Sequence, residues 1–184
     1  ISVIPAAVAE AAIKSGVARK KIGDFNLYKD ELTNRLDPSM SVMQGINAKI
    51  KKNPKRVIFA EGEDENMLKA AIEFHRSKLG TPILIGSEKR IREQLKKIGF
   101  DENFKIQIVN STNKEKRIKY TKYLYKKLQR EGLLERDVDR LVRNERIAWG
   151  SSMIACKDAD AMVTGNIRHY AASVEKLKRV VDAR

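Results

Sequence analysis

A cluster of carboxylates directly behind a short apolar run is the first place where this chain could do chemistry. The run covers residues 57–60, and the acidic side chains that follow it are Glu61, Glu63, Asp64 and Glu65. Ligand sites in open α/β sheets form at the carboxyl ends of the strands, so these groups could bind a metal ion or act as a general base. The alternative, which we favour, places Asp64 and Glu65 in the first turn of a helix. There the helix dipole stabilises each negative charge by about 0.3–1 kcal/mol.

The segment Thr164-Gly165-Asn166, at the end of a later apolar run, is the second candidate. Glycine lets a ligand approach the backbone closely, and exposed N–H groups ahead of a helix can hold a phosphate. Arg168 follows closely enough to add a charge-assisted contact, and His169 is the histidine to inspect first for a ligand contact. We therefore predict that Thr164, Gly165 and Arg168 bind a phosphate-bearing ligand. A plain strand-to-helix turn, with His169 at the surface, is the alternative.

The remaining reactive side chains have structural interpretations. Trp149 and Cys156 lie in a mostly apolar helical segment and are predicted to pack in the core, and His75 lies inside an ordinary helical pattern. One cysteine permits neither an intramolecular disulfide nor a Cys-x-x-Cys metal motif. The sequence holds no Ser-His-Asp set, phosphate-binding P-loop or Gly-x-Gly-x-x-Gly motif. We predict no catalytic residue, no metal ligand and no resident cofactor in this chain.

Composition indicates a globular cytoplasmic protein with a strongly charged surface. The 184 residues are 42% hydrophobic and 34% charged, and no apolar run approaches the roughly 20 residues that span a bilayer. No secretory signal pattern is present. We therefore expect no membrane partner.

The formal net charge of +14 and the isoelectric point near 9.9 raise the question of nucleic-acid binding. The lysines, however, are spread along helical segments that also carry apolar positions, which is typical of solvated helix faces. One such segment contains Lys114, Lys116, Lys119, Lys122, Lys126 and Lys127. No nucleic-acid recognition motif accompanies the charge. We expect no nucleic-acid partner, although a lysine-rich surface could favour anionic ligands.

Apolar runs that alternate with helical patterns predict an α/β fold with a parallel, three-layer sheet and right-handed crossovers. The predicted strands are 57–60, 82–85, 106–109 and 161–164. The predicted helices of this part are 64–79, 87–98, 113–130, 135–145, 147–157 and 171–181. Thr112 and Glu115 have capping-box spacing ahead of the third helix, and Ser87 is the predicted cap of the second.

The first third of the chain has a different organisation. Residues 2–15 are predicted to form a helix, with Pro5 in its first turn and Gly16 at its end. A polar, interrupted stretch follows to Pro38, with a short helix at 28–36, and we interpret it as an interdomain linker. A further helix starts at 37–39 and ends near residue 53, so the compact domain is predicted to begin at Lys55.

Three segments resemble known proteins. Residues 56–71, RVIFAEGEDENMLKAA, resemble the start of phosphate acetyltransferase domains, and residues 158–165, DADAMVTG, resemble a later strand and turn of that family. Residues 4–19, IPAAVAEAAIKSGVAR, resemble the last helix of bacterial NADP-dependent malic enzymes, many of which carry a phosphate-acetyltransferase-like domain behind it. The resemblance implies two regions. Residues 1–37 would be the C-terminal helix of a malic enzyme domain plus linker, and 38–184 a partial phosphate acetyltransferase-like domain, its first subdomain.

The resemblance also carries expectations about function. Phosphate acetyltransferases move acetyl between acetyl phosphate and coenzyme A in a cleft between two subdomains, and the family's catalytic motif has no counterpart here. In fused malic enzymes the domain is regarded as regulatory, binding acetyl-CoA as an effector and aiding oligomer assembly. NADP and a divalent metal would belong to the catalytic domain of the parent protein, which would be this module's partner. A piece of a phosphate acetyltransferase is the alternative, which the malic-like segment disfavours.

Overall fold

The computed structural model describes residues 3–36, 38–100, 106–167 and 169–181, and the chain divides into two compact units, Ile1–Lys52 and Asn53–Arg184. The first unit consists of helices α1 (Val3–Lys14), α2 (Phe25–Leu36) and α3 (Pro38–Lys52). Gly16, with φ of +77°, follows the end of α1, as the sequence predicts, because glycine adopts this left-handed backbone without strain.

The second unit is built on a parallel sheet, which confirms the predicted fold class. Its described strands are β1 (Lys55–Phe59), β2 (Gly80–Ile85), β3 (Gln107–Val109) and β4 (Ala161–Val163), in the order β3-β2-β1-β4. Ile58 of β1 is in register with Ile83 of β2 on one side and with Met162 of β4 on the other. All the carboxyl ends therefore meet at one edge of the sheet, where the two candidate segments follow β1 and β4.

Helices fill the connections between these strands close to the predicted limits. They are α4 (Glu65–Arg76), α5 (Glu88–Lys97), α6 (Lys114–Leu128), α7 (Glu135–Asn144), α8 (Arg146–Ala155) and α9 (Tyr170–Val180), with a 3-10 turn at Gln129–Glu131. The predicted helix 64–79 ends earlier, because Lys78 has φ of +54° and its amide donates to the carbonyl of His75. No helix in the described ranges is long and apolar enough to cross a membrane.

Alternating side chains of the central strands supply two separate cores, one on each face of the sheet. Ile58 and Ile83 pack with Tyr120 and Trp149, whereas Phe59 and Leu84 pack with helices α4 and α5. This period-two alternation places helices on both faces and produces the predicted three layers. Trp149 is a core residue, as predicted, and the half-buried Cys156 packs against the same cluster.

One of the two predicted helix caps is wrong. Asn113, rather than Thr112, caps α6, and its Oδ1 accepts from the amide of Lys116 at 3.0 Å. The Thr112 amide is taken by the side chain of Asn110, so the turn shifts the helix start by one residue. Ser87 does occupy the cap position of α5, but its side chain makes no capping bond.

Candidate functional site

The carboxylates of the acidic turn after β1 contact different neighbours: Glu61 contacts the turn after β4, and Glu63 contacts the residues after β2. Glu61 is only 5% exposed and accepts hydrogen bonds from the backbone amides of Gly165, at 3.2 Å, and Asn166, at 3.1 Å. The side-chain amide of Asn166 donates to Asp64 Oδ1 at 2.7 Å. The two segments that sequence analysis selected independently therefore form one hydrogen-bonded unit at the carboxyl edge of the sheet.

Asp64 and Glu65 occupy the helix start that we favoured for them. Asp64 is the N-cap of α4, and its Oδ1 accepts from the amide of Met67 at 3.0 Å. Glu65 lies in the first helical turn and pairs with Lys69. Among the described residues, no group of three or more histidine, cysteine or acidic side chains is arranged to hold a metal ion. The contacts of Asp64 and Glu65 therefore stabilise the connection between β1 and α4.

The residues predicted to bind a ligand have different surroundings. Thr164 Oγ1 is buried and has no hydrogen-bond partner within the described part of the chain, whereas the Gly165 amide already donates to Glu61. Gly165 has φ of +101° and open space where a Cβ would stand. His169 is exposed at the start of α9. Arg168 lies outside the described residues, so the binding role of these three positions stays a prediction.

A cavity of about 210 Å³ at the carboxyl ends of β2 and β3 was not anticipated from the sequence. Its lining comprises Glu63, Ile85, Gly86, Ser87, Asn110, Ser111, Val142, Arg143, Asn144, Glu145, Arg146 and Trp149. A sequence signal for it did exist, because Gly86-Ser87 and Asn110-Ser111 directly follow two predicted strands. What no local pattern showed is that the junction between α7 and α8 closes over them.

Glu63 holds one wall of this cavity in place. Its Oε1 accepts from the Ser87 amide at 2.8 Å, and its Oε2 lies 2.9 Å from Arg146 Nη2 and 3.5 Å from Arg90 Nη1. Burial alone would raise the pKa of the Glu63 carboxyl, but the Ser87 hydrogen bond and the Arg146 guanidinium outweigh it and hold that pKa below its ordinary value. Glu63 is therefore ionised, and both of its carboxylate oxygens are occupied by contacts within the protein.

Two further carboxylates fix the connection that leads into β4. Asp158 Oδ2 accepts from the Tyr120 hydroxyl at 2.7 Å and from Lys119 Nζ at 2.9 Å. Burial opposes ionisation of Asp158, yet these two donors lower its pKa. Asp160 pairs with Arg56, whose side-chain and backbone N–H groups lower the pKa of Asp160 to about 2. The Asp160 contacts hold the start of β4 against β1, and the Asp158 contacts hold the preceding connection against α6.

Comparison with known proteins identifies the family. The family model of phosphate acetyl/butaryl transferases matches residues 41–184, and the chain belongs to that family. The fold is that of a phosphotransacetylase from Streptococcus pyogenes, with a TM-score of 0.69 at 24% identity over 77% of this chain and 42% of that one.

Individual relatives divide into two kinds. The chain is 44% identical to the NADP-dependent malic enzyme of Rhizobium meliloti over 99% of its own length, and 43% identical to a probable NADP-dependent malic enzyme of Rickettsia prowazekii over 98%. It is 29% identical to the phosphate acetyltransferase of Helicobacter pylori over 72% of its length. The chain spans 24% of the length of both malic enzymes, and these similarities confirm the resemblance drawn from residues 4–19, 56–71 and 158–165.

Proposed function

We propose that this chain is the phosphate-acetyltransferase-like module of an NADP-dependent malic enzyme and that it regulates the parent enzyme by responding to acetyl-CoA. One observation carries the assignment. The similarity to malic enzymes extends over 99% of the chain and so includes residues ahead of position 41, where the family model begins. The Helicobacter pylori acetyltransferase matches only 72% of the chain. A malic enzyme parent accounts for the front segment, and the acetyltransferase alternative does not.

The contacts at the sheet edge support binding over catalysis. Glu61, Glu63 and Asp64 each accept backbone hydrogen bonds within the chain, so these carboxylates are committed to structural contacts. On this proposal, malate oxidation, NADP and the divalent metal belong to the catalytic domain of the parent protein. The module would act beside that domain in a cytoplasmic homo-oligomer.

The proposed acetyl-CoA contact is the turn that follows β4. Thr164 offers a hydroxyl without a partner in the described structure, and Gly165 leaves room for close approach. Because the Gly165 amide donates to Glu61, a ligand oxygen that reaches this amide must replace the Glu61 carboxylate. Contact with the Thr164 hydroxyl displaces no hydrogen bond, but because this oxygen is buried the turn must move to expose it. Arg168, four residues further along, would add the charge-assisted contact.

The test is inhibition of malate-dependent NADP reduction by acetyl-CoA in the intact parent enzyme. Arg168→Ala is expected to weaken the inhibition about tenfold or more, since a hydrogen bond to a charged group contributes roughly 1.5–3 kcal/mol. Turnover without acetyl-CoA should be unchanged. Arg179→Ala is the matched control, because Arg179 is an exposed residue of α9 paired with Glu175. Unchanged acetyl-CoA sensitivity in Arg168→Ala would contradict the proposed contact.

The chain by itself is expected to show neither malate-dependent NADP reduction nor acetyl transfer. The first assay follows NADPH absorbance, and the second follows release or capture of the coenzyme A thiol. Turnover in either assay that co-purifies with the chain and survives controls for contaminants would contradict a purely regulatory role.

A further inference from the structure

The cavity at the ends of β2 and β3 is separate from the proposed acetyl-CoA turn. Strand β1 lies between β2 and β4, so the cavity and the Thr164-Gly165 turn are on opposite sides of the acidic turn. At about 210 Å³, the cavity is smaller than the roughly 300–1,000 Å³ typical of pockets for drug-sized ligands. It suits a small metabolite.

The charges that line this cavity leave one arginine without an ion pair among the described residues. Its two carboxylates are already paired, Glu63 with Arg146 and Arg90, and Glu145 with Lys176 at 2.7 Å. Arg143 also lines the cavity, and its guanidinium has no ion pair in the part of the chain that the structure describes. The lining thus has two arginines and two glutamates, with Arg90 and Lys176 outside it as further partners of the carboxylates. Arg143 is left without a carboxylate partner among the described residues, which favours an anion.

Several hydrogen-bonding groups of the wall have no protein partner. The side chains of Ser87 and Ser111 make no hydrogen bond within the described ranges, although both line the cavity. Trp149, 1% exposed and part of the same wall, has an indole Nε1 with no partner among the described residues. A buried donor without an acceptor is costly, so a wall that retains one is a candidate for ligand contact.

Two helices begin at the cavity. Ser87 is the N-cap of α5 and Glu145 the N-cap of α8, and neither side chain caps its helix. The first amides of both helices carry the positive end of the helix dipole, whereas α7 ends at the same cavity with its carbonyl end. The exposed N–H groups can still donate to an anion, and the arginines decide the sign of the field. Hydroxyls, amides and a guanidinium around one small space match the acceptor oxygens of an oxyanion.

We propose that this cavity binds a small oxyanion, carried by a metabolite as a phosphoryl or a carboxylate group. Arg143 forms the ion pair with the anion, and the hydroxyls of Ser87 and Ser111 donate hydrogen bonds to its oxygens. Glu63 acts as a positioning residue, because it holds Arg146 and the Ser87 amide at the wall.

The experiment is a titration of the purified 184-residue chain with inorganic phosphate and, separately, with malonate, at constant ionic strength set with chloride. Saturable binding of one anion is expected, with shifts of the amide resonances of Ser87, Ser111 and Arg143 and of the Trp149 indole. The anion that binds more tightly distinguishes a phosphoryl from a carboxylate source.

Arg143→Gln is expected to weaken that binding about tenfold. Arg140→Gln, an exposed arginine three residues earlier on α7 and outside the cavity, is the matched control and should bind like the parent chain. Ser111→Ala should weaken binding several-fold, and unchanged circular dichroism establishes that each variant is folded. The proposal is overturned if neither anion saturates, if both arginine variants lose affinity equally, or if the shifts lie elsewhere. Because Thr164 and Arg168 are untouched, these outcomes are independent of the acetyl-CoA proposal.

Discussion

The carboxylate of Glu61 accepts a hydrogen bond from the backbone amide of Gly165 across 104 residues of sequence. A second bond from Asn166 makes the carboxylate an internal anion at a turn whose geometry suits anion binding. The contact joins the end of β1 to the end of β4. It therefore stabilises the sheet edge and also occupies an amide that a ligand phosphate would use.

Glu61→Ala is expected to lower the free energy of unfolding of the second unit by about 1.5–3 kcal/mol, because two backbone amides lose a charged acceptor. Urea denaturation followed by Trp149 fluorescence measures the change. Glu65→Ala is the control, since its exposed pair with Lys69 and its place in the first helical turn together contribute about 1 kcal/mol or less. Similar losses in the two variants would show that the Glu61 contact adds nothing to stability.

The pair Asp160–Arg56 predicts a specific acid dependence. The pKa of Asp160 is about 2 in the folded protein and 3.8 in its ordinary state, so folding favours the ionised form. The stabilisation is complete above pH 3.8 and is lost as the pH falls toward 2. Asp160→Asn should make the thermal midpoint fall less steeply between pH 4 and pH 2. Arg56→Gln should likewise reduce the fall of the thermal midpoint between pH 4 and pH 2. If both variants keep the acid dependence of the parent chain, the Asp160–Arg56 pair is not its source.

Tyr120→Phe tests the hydroxyl that donates to Asp158. The ring keeps its edge contact with Trp149, with centroids 5.0 Å apart, and Asp158 keeps Lys119, so the expected loss is about 1 kcal/mol. Tyr120→Ala removes the fully buried ring as well and should cost about 3–5 kcal/mol. Equal losses in urea denaturation would mean that the hydrogen bond, and not ring packing, dominates at this position.

Gly80→Ala should destabilise the sheet by about 1–3 kcal/mol, because a Cβ at the start of β2 collides with the carbonyl of Lys55 and approaches the Phe74 ring to 2.9 Å. Gly45→Ala is the control, since its Cβ in α3 meets open space. It should leave the unfolding of the second unit unchanged. A Gly80→Ala protein with the parent unfolding midpoint would show that this close approach is not required.

The chain alone is expected to self-associate despite its charge. Ile4 and Val8 on α1 are 72% and 62% exposed, and exposed apolar groups of this kind drive association. Sedimentation velocity over a range of concentrations should show larger species that the double variant Ile4→Ser, Val8→Ser reduces. Val17→Ser, at an equally exposed position outside α1, is the control. A compact monomer at high concentration would contradict the expectation.

Local patterns in the sequence were sufficient for the elements of this protein. The apolar runs at 57–60 and 82–85 predicted β1 and β2, since strand side chains buried on both faces must be apolar. Apolar residues at helical spacing around Leu68 and Leu124 predicted α4 and α6, since one face of each helix must be buried. Gly16 predicted the end of α1. Thr112 was chosen wrongly as a cap because the competing Asn110 turn depends on backbone geometry that residue types alone do not specify.

Only the tertiary structure decided how the site is assembled. Both halves of the Glu61–Gly165 contact were visible as separate turns, but their meeting depends on β4 pairing with β1, which is a matter of long-range packing. The sequence likewise determined that residues with polar side chains, Ser87 and Asn110-Ser111, follow β2 and β3. It did not determine that Arg143 and Trp149 would close a cavity over them, because that requires the path of α7 and α8 across the sheet. Residue types establish which groups are able to bind, and the fold establishes which of them already have a partner.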